Sequence, residues 1–175
     1  KTTAKSFDNS GDWFELGPKF DTANRDNGVG PIEFISIDKN NPSKMIAGSL
    51  NGGLFYTKNN AESWENLGSD QWENSGVASA IFHPYLQNVF YACSIKQQDN
   101  GDPSYIGSQG KIKRQVGGVW ETIGSYTDFA GGFYTKYYKI LADPLNNPAT
   151  NGVPLRLYVA TLNGLYRTDG ANDPT

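Results

Sequence analysis

The stretch Gly52–Trp64, GGLFYTKNNAESW, decides how the rest of the chain is read. Two glycines make a turn, Leu54 to Lys58 alternates like a strand, and a small polar loop ends on a tryptophan. Near the other end, Asn163–Gly170 reads NGLYRTDG, a second writing of the same line. A phrase used twice in 175 residues points to a structural repeat rather than an active site.

Around that stretch, residues 31–68 spell out one whole unit. An alternating strand from Ile32 to Asp38 reaches an Asn-Pro turn, and a second strand runs from Met45 to Leu50. Asn51, Gly52 and Gly53 make a tight hairpin, because Asn and Gly tolerate the positive φ that it needs. Leu54 to Lys58 is the third strand, and a short fourth strand follows at Trp64–Gly68. The same order recurs at 78–83, 89–95, 111–116 and 119–123, and again at 137–142, 155–161 and 165–168. Ahead of the first unit, Asp12–Gly17 (DWFELG) matches the fourth strands SWENLG and VWETIG. Trp64 lies 51 residues after Trp13, and Trp120 lies 56 after Trp64; the excess fits an insertion at Gln97–Gly110. Four short antiparallel strands in about 50 residues is the period of a β-propeller blade. No long segment has apolar residues at i, i+3, i+4 and i+7, so a helical reading fails.

Composition agrees. Aromatic residues make up 13% of the chain and charged residues only 19%, with 20 Gly and 9 Pro to supply turns. That mixture favours a turn-rich β protein and gives the chain enough apolar mass to fold. The net charge of −3 argues against a nucleic-acid face. The tight basic group Lys111, Lys113 and Arg114 lies on an alternating run, so two of its cations are expected to share one solvated face. The single cysteine, Cys93, falls in the apolar run VFYACS and reads as a small buried hydrophobe. The single histidine, His83, sits before a turn and nothing in the sequence sets it beside Cys93, so a nucleophilic pair is not expected. No metal site and no cofactor are expected from so few Cys and His. No apolar run approaches the roughly 20 residues that span a bilayer, and no signal peptide is visible at KTTAKSFDNS.

The lines ISIDKNNPSKMIAGSLNGGLFYTKNNAESWENL and LYVATLNGLYRTDG resemble BNR/Asp-box propeller repeats of the sialidase, xyloglucanase and sortilin kind. The box pattern, roughly Ser/Thr-x-Asp-x-Gly-x-Ser/Thr-Trp, is met in order by Thr57, Asn59, Ala61, Ser63 and Trp64, with Asn for Asp and Ala for Gly. The resemblance implies a hairpin loop between the third and fourth strands, with a tryptophan largely buried between sheets. It makes Thr57, Asn59, Ser63 and Trp64 structural. The expected fold is all-β, a partial β-propeller of about three four-stranded antiparallel blades at 31–68, 76–124 and 135–175. Residues 11–18 would be the closing strand of a preceding blade. Because three blades do not close a propeller, the chain reads as a segment whose first partner is the remainder of the same propeller. A β-sandwich is the fallback.

The resemblance raises two functions. A glycoside hydrolase needs two carboxyls placed across the sugar. In xyloglucanase-like sequences an acid stands in a Thr-Asp-x-Gly-Gly line before the third strand; here Leu50 and Leu162 hold that place. The four arginines Arg25, Arg114, Arg156 and Arg167 form no sialidase-like line. No catalytic residue is therefore assigned, and any catalytic acids would lie outside the segment. The competing reading is a binding or scaffold propeller of a secreted or cell-surface bacterial protein, similar in style to type IX secretion substrates of Bacteroidota. A glycan, a protein ligand or secretion machinery would then meet Asp99, Asp102 and Tyr105 of the insertion, with Tyr134 and Tyr137 of the cluster DFAGGFYTKYY. Asp99 and Asp102 also suit ordinary turns, and no glutamate follows at EF-hand spacing.

Overall fold

The computed structural model describes residues 15–18, 30–72, 76–95, 110–129, 136–147 and 155–169. It is all-β, with three antiparallel sheets of three or four strands, consistent with part of a β-propeller. The first sheet runs β1 (Ile32–Ile37), β2 (Met45–Ser49), β3 (Gly53–Thr57) and β4 (Glu65–Asn66) in that order. The second runs β5 (Gly76–Phe82), β6 (Val89–Ile95), β7 (Lys111–Val116) and β8 (Val119–Ser125). The third holds β9 (Tyr137–Ala142), β10 (Arg156–Thr161) and β11 (Gly164–Asp169). The only helical elements among the described residues are the 3-10 turns Ser69–Gln71 and Tyr126–Asp128.

The repeat is more regular in register than in sequence. In each sheet the first strand carries one unpaired residue against the second: Glu33, Ala78 and Tyr138. Each lies five positions before the residue that opens the first turn, Asp38, His83 or Asp143. A bulge at the same place bends and twists each sheet alike.

The sheets stack face to face in a row, and the middle one is covered on both sides. Successive side chains of a strand point to opposite faces, so β6 serves two cores at once. Phe90 and Ala92 pack with Ile46, Leu54, Tyr56, Val77 and Ala80 toward the first sheet. Tyr91 and Cys93 pack with Ile112, Tyr137, Ile140, Leu155, Leu157 and Val159 toward the third. All seven residues of β6 are buried, which is why its sequence does not alternate. Gly48 makes the first core possible: a Cβ there would lie 2.0 Å from the ring of Phe34, its cross-strand neighbour.

Two sequence expectations change on folding. Trp64, expected to be largely buried, is only partly covered; it precedes β4, the edge strand of its sheet. Of the three cations of β7, Arg114 is buried and pairs with Glu121, whereas Lys111 and Lys113 lie on the other face and are half-buried. Lys113 Nζ sits 5.1 Å from the centre of the Trp72 ring.

Candidate functional site

The polar loop that leads to Trp64 is held together by its own side chains. The Thr57 hydroxyl donates to Asn59 Oδ1 at 2.8 Å and accepts from the backbone N–H groups of Asn59 and Ala61. Asn59 Oδ1 also accepts from Ser63 N at 3.1 Å, and its amide donates to Ser63 Oγ at 2.9 Å. The side chains of Thr57, Asn59 and Ser63 thereby bond within the loop, as short Ser, Thr and Asn side chains readily do. Asn60 and Ala61 follow one another in left-handed conformation at φ 56° and 65°. That explains a glycine preference at position 61, because a Cβ is strained there.

Trp64 and Trp120 each reach back to a backbone carbonyl about 50 residues earlier. The Trp64 indole N–H donates to the Leu16 carbonyl at 2.9 Å, and the Trp120 indole N–H donates to the Leu67 carbonyl at 2.7 Å. Leu16 and Leu67 stand at the same place in DWFELG and SWENLG, so each tryptophan ties its sheet to the matching segment one unit earlier. The first turns make a second series of ties. Asn40 donates its amide to the Pro84 carbonyl at 3.1 Å, and the Tyr85 hydroxyl donates to the Pro144 carbonyl. Sequence reasoning missed both series; lining up Asp38-Lys39-Asn40, His83-Pro84-Tyr85 and Asp143-Pro144-Leu145 would have drawn attention to the second.

Of the residues expected to meet a ligand, Asp99, Asp102, Tyr105 and Tyr134 lie outside the described residues. Tyr137 belongs to the core, 3% exposed and edge-on to Phe129 at 5.6 Å. Burial, with Cys93 and Asp128 nearby, pushes its phenol well above the ordinary range, and its hydroxyl has no hydrogen-bond partner among the described residues.

Nothing in the described part assembles a nucleophile. Cys93 is fully buried and burial drives its thiol strongly up, so it stays protonated and shielded. His83 Nδ1 accepts from the N–H groups of Tyr85 and Leu86 at 3.0 and 2.9 Å, which makes the ring a turn cap. Asp38 and Asp143 do the same work in the other units, accepting from Asn40 N and Leu145 N. Asp143 also faces Arg156 at 3.5 Å, Glu121 holds Arg114, and Asp128 accepts from Ser125 N. No three of the described His, Cys, Asp and Glu residues are grouped to hold a metal.

The turns before β3 and β11 are capped by a hydroxyl in the same way. Ser49 Oγ accepts from Asn51 N and Gly52 N, while Thr161 Oγ1 accepts from Asn163 N and donates to the Gly164 carbonyl. Leu50 and Leu162 therefore sit at one repeated turn position, each directly after the capping hydroxyl. Clefts open between neighbouring elements. One of about 480 Å³ lies between the turns at Asp38–Lys44 and Pro84–Gln87, where Lys39 Nζ stands 4.7 Å over the Tyr85 ring. Another, of about 340 Å³, lies between the second and third sheets.

Among the described residues no helix is long and apolar enough to cross a membrane. No family model matches this chain, and no curated protein matches it. Among solved structures it is similar to an ancestral GH74 enzyme, AFV00434, at 18% identity and a TM-score of 0.54 over 78% of this chain. It is also similar to the GH74 enzyme of Niastella koreensis, at 13% identity and a TM-score of 0.46 over 81% of this chain. The chain spans 19% and 23% of the lengths of those two proteins. The likeness to the first is one of fold.

Proposed function

We propose that the chain is a non-catalytic part of a β-propeller, with blades near 31–68, 76–124 and 135–175, that binds or scaffolds in a secreted or cell-surface bacterial protein. The observation that carries this reading is the repeated turn: Leu50 and Leu162 occupy the position where a xyloglucanase-like acid would stand. Leucine can neither donate nor accept a proton, and each turn is already closed by its Ser49 or Thr161 hydroxyl. The carboxylates named above are used in turns and ion pairs. A glycan or protein ligand meets the insertion at Asp99, Asp102 and Tyr105, together with Tyr134. The Asn-, Gly- and Tyr-rich composition fits a substrate of type IX secretion.

A second reading has one observation in its favour, the likeness of fold to a GH74 enzyme. In that case the chain is part of a glycoside hydrolase whose acids lie outside these residues. Incubation with xyloglucan and with sialosides, followed by product analysis, separates the two. Binding that weakens on Asp99→Asn and Asp102→Asn, without any turnover, supports the scaffold reading; turnover lost with those changes overturns it.

A further inference from the structure

The turn Asp38–Lys44 joins β1 to β2, the turn His83–Asn88 joins β5 to β6, and the 480 Å³ cleft lies between them. Both turns belong to four-stranded sheets. The walls of the cleft are fixed from within. Asp38 N donates to the Lys44 carbonyl, and Lys44 N to that of Asn41. The Asn40 amide crosses to the Pro84 carbonyl, and the Tyr85 hydroxyl is anchored on Pro144. Lys39 Nζ stands 4.7 Å over the centre of the Tyr85 ring. A cleft shaped before a ligand arrives has little order left to lose on binding.

The polar groups that the fold leaves unused are of one dominant kind. Among the described residues neither Lys39 nor Lys44 forms an ion pair, so two ammonium groups line the cleft against one carboxylate, that of Asp38. Asp38 accepts from Asn40 N with one oxygen and keeps the other. Asn41 spends its side-chain oxygen on Ser43 N and keeps its amide N–H groups, and Gln87 keeps its whole amide. A surplus of positive charge, amide donors and one acceptor beside a half-buried aromatic ring suit a ring that carries a carboxylate and free hydroxyls. The volume falls within the roughly 300–1,000 Å³ of small-molecule sites. We propose that this cleft binds a uronic acid unit of an acidic polysaccharide, with its carboxylate taken by Lys39 and Lys44 and a ring hydroxyl donating to Asp38. The site is separate from those considered above. Successive strands run antiparallel, so the turns after β1 and β5 lie at the opposite end of the sheets from the Leu50 turn and from the ends of β6 and β7 that the insertion joins. The inference stands whether or not the protein hydrolyses anything.

Calorimetric titration of the 175-residue chain with trigalacturonate tests it. Trigalacturonate is expected to bind, more weakly as salt is raised. Uncharged galactotriose should bind at least about tenfold more weakly, because it offers the lysines no carboxylate. Lys39→Gln and Lys44→Gln should each weaken trigalacturonate by about tenfold, the order expected for one charge-assisted bond. Lys58→Gln, which removes a lysine that faces Glu65 outside the cleft, should leave binding unchanged. Should either cleft variant lose its strand signal in circular dichroism, amide shifts of wild-type chain decide alone; trigalacturonate should move those of Lys39–Lys44 and Tyr85–Gln87. No binding at millimolar trigalacturonate overturns the proposal, and so does binding that both cleft variants retain. Equal binding of galactotriose, or amide shifts confined to other residues, overturns it as well. Each of those failures leaves the turnover assays, and the scaffold reading they test, unaffected.

Discussion

The indole N–H of Trp120 donates to the carbonyl of Leu67, 53 residues earlier, at 2.7 Å. Trp64 makes the same bond to Leu16, 48 residues earlier, at 2.9 Å. Trp120 thus joins the second sheet to the end of the first by hydrogen bond as well as by packing, and Trp64 reaches back to Leu16 in the same way. Trp120→Phe tests the bond apart from the packing, since it keeps a ring beside Trp72 and removes the donor. The expected loss is about 1–3 kcal/mol in denaturant unfolding, the cost of leaving a partly buried carbonyl poorly paired. An unchanged midpoint would mean that the bond contributes nothing.

Ala61 offers a gain. At φ 65° its methyl group strains a left-handed backbone that glycine accepts freely. Set against the extra freedom that glycine has when unfolded, Ala61→Gly should stabilise the protein by about 0.5–1 kcal/mol. A rise in the melting temperature checks this, and a fall would show that the packing of the Ala61 methyl outweighs its strain.

His83 should be replaceable in kind. Its buried Nδ1 satisfies two backbone N–H groups, a task that Asp38 and Asp143 perform with an oxygen in the neighbouring units. His83→Ala should cost about 1–3 kcal/mol through those orphaned donors, over and above the space it leaves. His83→Asn should recover about 1 kcal/mol of that by forming an Asx turn. Equal losses in the two variants would assign the role to ring packing on Tyr91 instead.

Cys93 makes stability depend on alkaline pH. Burial raises its thiol pKa in the folded state, so folding favours the protonated form. That contribution is full below the unfolded thiol pKa of roughly 8.5 and is lost as pH rises above it, by about 1.4 kcal/mol per pH unit. Unfolding free energies measured between pH 8 and 10 should therefore fall more steeply for wild type than for Cys93→Ala. Iodoacetamide should modify native Cys93 only at the rate of unfolding; fast labelling of folded protein would contradict its burial.

The strands, their order and the turns between them were legible in the sequence because local chemistry fixes them. Alternation marks β1, and Asn-Gly or Gly-Gly pairs, each with a glycine at positive φ (Gly53, Gly117 with Gly118, Gly164), mark the hairpins before β3, β8 and β11. The Thr57–Ser63 loop was legible for the same reason, since the bonds of its Thr57, Asn59 and Ser63 side chains join residues no more than four apart. What tertiary structure alone decided was where each face goes. Tyr137 reads as one aromatic of a surface cluster until β9 packs on β5 and β6 and puts its ring in the core. Trp64 reads as a core residue until it proves to stand just before the edge strand β4, only partly covered. The partners of Trp64, Trp120, Asn40 and Tyr85 are backbone carbonyls in the adjoining unit, between 44 and 59 residues away. A backbone carbonyl carries no side-chain signature, so only the stacking of one sheet on the next selects it.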